Sequence, residues 1–146
     1  MIALEKFPDH LQTLQLKDWE NLFILLPEIE MTSDFGQLKG GESLNDGSVS
    51  MPFWSSSEIA RKTFAAIRNL DLCPVFDWSN WPEGKAILDD QAFDYDQIDT
   101  IVLCKLLTLI IRQDRFNDGY LVSCFEKGIM TKIIRSLKEN IIKGNK

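Results

Sequence analysis

Two clusters in this 146-residue chain combine residue types and spacing that could do chemistry. The first is Arg112, Asp114 and Arg115. At helical spacing Arg112 and Arg115 share a face, while Asp114 points about 100° away from Arg115. Two guanidiniums on one face can hold a carboxylate or phosphate through paired N–H donors. The same residues also suit a purely structural role: a helix C-terminus favours cations, and Arg115 could pair with Asp118 or Glu126. The second cluster is Asp77–Trp78–Ser79–Asn80–Trp81. Aromatics two or three apart in a loop can line a concave pocket, with a carboxylate supplying specificity. Two tryptophans can equally pin a loop to the core while Asp77 makes an Asx turn.

The element that must position the first cluster is the apolar run that precedes it. Asp99 can cap a helix whose next positions include Ile101, Val102, Leu103, Cys104, Leu106, Leu107, Leu109, Ile110 and Ile111. A helix apolar on almost every side belongs at the centre of a domain. The run is too short for a bilayer and carries Lys105, so no membrane span is expected. Around it, residues 1–17 read as a loose first helix. Asp18 reads as the cap of a second helix that Pro27 should end or kink. Glycine, asparagine and serine dominate residues 31–54, a long loop with scope for a hairpin at Asn45–Asp46–Gly47. Ser55 with Glu58 reads as a capping box for a helix to about Leu70. Pro82 can open a short helix. Asn117 or Asp118 can cap another through Phe125, and a terminal amphipathic helix follows Gly128. The expected fold is all-α: one domain over residues 1–146, with five or six helices around a buried central helix at about 99–115. Residues 1–17 and 142–146 are expected to be loosely ordered.

Composition removes several classes of function. A hydrophobic content of 45% supports a proper core, so disorder is not expected in the interior. Cys73, Cys104 and Cys124 have no Cys/His neighbours at zinc spacing, and no metal or cofactor is expected. Met1–Lys6 lacks a basic stretch leading into an apolar one, which with the odd cysteine count suggests reduced thiols in the cytoplasm. The net charge of −6 is uneven: residues 1–126 carry 10 basic and 21 acidic groups, residues 127–146 carry 6 and 1. Such an acidic body repels phosphate backbones and disfavours nucleic acid as a partner. The acids between Asp77 and Asp99 lack the glycine and alternate spacing of a calcium loop. His10, the single histidine, reads as a surface residue.

Three segments, two of which contain the clusters above, carry a resemblance. Arg112–Gln113–Asp114–Arg115–Phe116–Asn117–Asp118–Gly119 fits R-x-D-R-F-x-x-G and is followed by Phe125–Glu126–Lys127–Gly128, an F-E-x-G. Met51–Pro52–Phe53–Trp54–Ser55–Ser56–Ser57–Glu58 is similar to P-Y-x-Y-S-x-E, and Asp77–Trp78–Ser79–Asn80–Trp81 to D-W-x-x-W. Over residues 50–140 the chain thus resembles a family of small uncharacterised bacterial and archaeal proteins, a domain of unknown function. Histidine often follows the glycine in that family, but Tyr120 stands here, so no proton-transfer role is carried to it. The resemblance implies a compact, mostly helical domain and no particular activity.

Two functional readings follow. The leading one is a cytoplasmic binding or regulatory module that recognises a protein partner, since an acidic helical body steers toward a basic one. The rival is a small-molecule-binding protein or enzyme acting on an anionic ligand. Its cleft would be built from Asp77, Trp78 and Trp81 facing Arg112, Asp114, Arg115 and Glu126. Oligomeric state is not legible in the residues.

Overall fold

A computed structural model describes residues 1–41, 43 and 45–144. Its axis is the helix Thr100–Phe116, and Asp99 caps it as the sequence predicts, Oδ1 accepting the Val102 N–H at 2.9 Å. Leu103, Cys104, Leu106, Leu107 and Ile110 are completely buried. Each leucine or isoleucine so removed from water contributes about 1.5–3 kcal/mol before entropy is counted. In chain order the α-helices are α1 (Phe7–Thr13), α2 (Leu16–Phe23), α3 (Leu26–Met31), α4 (Glu58–Asn69), α5 (Pro82–Asp89), α6 (Thr100–Phe116), α7 (Tyr120–Glu126) and α8 (Ile129–Ile142). Helices α5, α7 and α8 pack on α6, while α8 also packs on α2 and α3, both of which meet α4. The fold is all-α with one small ribbon. No described helix is long and apolar enough to cross a membrane.

The N-terminal stretch is packed rather than loose. Phe7 and Leu11 on α1 are buried, and the backbone before them pairs with residue 75: Leu4 N–H to Val75 O at 3.0 Å, Val75 N–H to Ile2 O at 2.8 Å. His10 is no free surface residue either. It is half-buried, with Nε2 2.8 Å from the Leu70 carbonyl oxygen, joining α1 to the end of α4. The expectation of loose order at 142–146 falls partly on 145 and 146, which lie outside the described residues, as do 42 and 44 in the expected loop.

Three helix starts differ from expectation by a few residues, each for a local reason. Gln15 rather than Asp18 caps α2; Asp18 sits in the first turn and accepts the Gln15 N–H at 2.8 Å. The second helix does end ahead of Pro27, at Phe23; Pro27 itself lies in the first turn of α3, where its missing N–H costs nothing, so it opens the next helix. Ser57 caps α4 through the Ala60 N–H at 3.3 Å, because Ser55 is already committed to a strand. That strand is β2 (Phe53–Ser56), antiparallel to β1 (Gly36–Lys39) with Leu38 opposite Trp54. The 31–54 loop is therefore partly a hairpin. Asp46 stiffens its tip by accepting both the N–H and the hydroxyl of Ser48.

Candidate functional site

The last three turns of α6 carry polar and aromatic side chains in three directions. At roughly 100° per residue, Thr108, Ile111, Arg112 and Arg115 form one side, and Leu109, Gln113 and Phe116 lie roughly 110° round. Asp114 takes the third direction. Each direction meets a different part of the chain.

On the first side a cavity of about 120 Å³ lies between α4 and α6, with Phe64, Ile67, Leu72 and Ile111 as apolar lining. Arg112 and Arg115 line it, together with Arg68 from the last turn of α4. Arg112 is half-buried and donates from Nη2 to the thioether of Met1 at 3.4 Å, a weak acceptor. Arg68 lies over the Phe64 ring, 5.1 Å from its centroid. None of the three forms an ion pair with a carboxylate among the described residues. The pairing of Arg115 with Asp118 or Glu126 does not occur. Asp71 is the one acid in the lining, and its backbone is left-handed at φ 53. It closes α4: its N–H bonds Arg68 O at 3.0 Å and the Leu72 N–H bonds Ile67 O at 3.2 Å. Glycine usually fills that position, and an aspartate there costs roughly 1 kcal/mol or more.

On the second side an open cleft of about 560 Å³ is walled by Trp78, Trp81 and Phe116, with Lys85 and Gln113 at its margins. Trp78 and Phe116 rings lie 6.0 Å apart. Trp81 meets Phe76 edge-on at 5.5 Å, and Lys105 Nζ rests 4.3 Å from the Trp81 ring centroid. Gly84 leaves room for the ring of Trp81, the N-cap of the same helix, to lie over the first turn of α5, since a Cβ there would come 2.1 Å from it. Asp77 does not line the cleft. Its oxygens accept from Ser79 Oγ at 3.0 Å and Asn80 Nδ2 at 2.8 Å, which makes it a turn-former.

In the third direction Asp114 accepts the Leu121 N–H at 2.9 Å and so caps α7 from the preceding helix. Asp118, expected to cap α7 itself or to pair with Arg115, accepts the Trp54 N–H at 3.0 Å instead. Gly119 fits beneath the Trp54 ring at φ +89, where a Cβ would stand 2.6 Å from the ring. Glu126 is exposed at the end of α7 and lines neither cleft. The seven residues expected to share one site are therefore split: Arg112 and Arg115 in one cavity, Trp78 and Trp81 in another cleft, and Asp77, Asp114 and Glu126 outside both. The single convergent cleft does not form.

Sequence reasoning missed Arg68. The signal available was Phe64 four residues before it, a spacing that stacks the two on one helix face. The cysteines sit in apolar surroundings, and burial pushes the thiols of Cys73 and Cys124 each up to about 12. They are neutral thiols, poorly suited to attack or ligation. Among the described residues no group of three or more His, Cys, Asp or Glu side chains is placed to hold a metal ion. A model of a family of unknown function (DUF6508) matches residues 14–143. No curated protein and no solved structure matches the chain.

Proposed function

Because the chain belongs to this family, whose function is unknown, we propose from its surface that it is a cytoplasmic binding module that recognises a protein partner through a basic segment. One observation supports the reading: an open cleft is walled by Trp78, Trp81 and Phe116, and its two tryptophans lie at the start of the most acidic segment of the chain. Residues 77–99 hold seven acids against Lys85 alone, and all seven are exposed. None of them makes an ion pair with a described residue; several instead cap turns, as Asp94 does for Asp96 N–H and Asp99 does for α6. Their charge is therefore free to act outward. Phe116 crowns the cleft at 78% exposure, an aromatic that packing does not require. A lysine or arginine laid on Trp78 and Phe116 gains about 0.5–2 kcal/mol from the ring faces. The excess of exposed carboxylates on the body of the protein raises the rate at which such a partner arrives.

The test uses the purified protein as bait in a lysate of its own cells, at low and high salt, alongside a Phe116→Ala bait. A partner captured at low salt, released at high salt and lost with the variant supports the reading. A partner held equally by Phe116→Ala, or a bait that emerges alone as a monomer, overturns it.

A further inference from the structure

We propose that the cavity lined by Arg68, Arg112 and Arg115 is a second, independent site, which binds an organic monocarboxylate with a short apolar tail. Three guanidiniums surround one apolar cavity in a protein whose net charge is −6. Arg68 and Arg115 each stand in the last turn of a helix, where the dipole favours a cation. That preference explains each singly but not their convergence with Arg112 from two different helices. Like charges gathered without carboxylate partners repel, and an anion between them would relieve the repulsion. Arg112 is the group most in need of one: half-buried, it spends an N–H on the Met1 thioether, which a carboxylate oxygen would outcompete.

The cavity itself selects the rest of the ligand. Its floor is Phe64, Ile67, Leu72 and Ile111, with no exposed charge among them. Engineered cavities of about 150 Å³ admit benzene, so 120 Å³ suits a tail of about four or five carbons. Asp71 on the rim selects against a second negative charge, which favours a monoanion over a phosphate. The remaining polar side chains of the cavity are already occupied: Thr108 donates to Pro74 O at 2.9 Å, and Cys73 is a neutral thiol. The site holds its ligand and has no nucleophile to react with it.

The experiment titrates the full chain with butanoate, pentanoate and hexanoate, with the matching amides and inorganic phosphate as controls. It reads melting temperature and amide chemical shifts. Saturable stabilisation by the carboxylates is expected, with shifts concentrated at Phe64, Leu72 and Ile111. Affinity should fall at least tenfold in Arg112→Gln and several-fold in Arg115→Gln, whose exposed side chain leaves the fold intact. The amides should not bind. No saturable effect from any carboxylate, equal binding by the Arg115→Gln and wild-type proteins, or phosphate binding as tightly as pentanoate would each overturn the proposal. The lysate capture by the aromatic cleft is unaffected by these variants, so the two sites fail or stand separately.

Discussion

The two clefts share α6 and almost nothing else. The arginine cavity is small, with apolar residues in its lining, and is bordered by the C-terminal turn of α4; the aromatic cleft is nearly five times larger. One gathers cations in an acidic protein, the other gathers ring faces. Of the two lysines near the aromatic cleft, Lys105 is already held over rings, 4.3 Å from Trp81 and 4.9 Å from Phe76, while Lys85 stands at the margin. The guanidiniums of the cavity have only a thioether and a ring. One helix can thus present opposite chemistries when its faces meet different elements, and proximity in sequence is no guide to a shared site.

The largest expected effect removes the scaffold common to both. Leu107→Ala should destabilise the protein by about 2–5 kcal/mol in urea melts, since Leu107 is wholly buried at the centre of α6. A loss under about 0.5 kcal/mol would mean α6 is not the axis. Gly84→Ala attacks one cleft alone. Its Cβ must displace the Trp81 ring, at about 1–3 kcal/mol, and should change tryptophan fluorescence while leaving shifts at Leu72 and Ile111 in place. A shift of both sets would join the two clefts into one unit.

Alkaline pH probes the other side. Burial raises the Cys73 thiol from 9.0 to about 12, the Thr108 hydrogen bond opposing this weakly. The unfolded chain then loses its proton first. This thiol's contribution is complete below about pH 9 and disappears as pH rises through about 12. Compared with Cys73→Ala, the wild-type protein should lose about 2 kcal/mol more between pH 8 and 10.5. Parallel pH curves for the two proteins would place Cys73 in contact with water. The smallest effect is Arg115→Ala. An exposed arginine without a carboxylate partner should cost less than about 0.5 kcal/mol in the melt. A larger loss would restore the structural ion-pair network that the sequence also allowed.

What was legible in the residues was what is local. The Asp99 cap and the apolar run to Ile111 depend on neighbours within four positions, and both stand as read. The start of α5 at Pro82 and the start of α8 after Gly128 are equally local. Ser55 was misplaced because its cap signature competes with a strand partner at Gln37, eighteen positions earlier by the register. Asp114 and Asp118 each spend their carboxylate on a backbone N–H that helical spacing does not reveal, in α7 and in the ribbon. The division of the candidate residues has the same origin. Spacing on α6 defines faces, but the path of residues 71–81 decides which face receives tryptophan and which receives arginine.

The segment Arg112–Gly119 has one more consequence, which concerns motion. Within eight residues it fastens the N-terminal stretch through Met1, α7 through Leu121, the ribbon through Trp54, and the turn at Trp78 through Phe116. Four segments remote in sequence thus share one buckle. Releasing any one of them exposes the end of α6 to the others' solvent. Amide hydrogens at Trp54 and Leu121, sixty-seven positions apart, should therefore exchange with deuterium through one common opening and at one free energy, a single cooperative unit drawn across the chain.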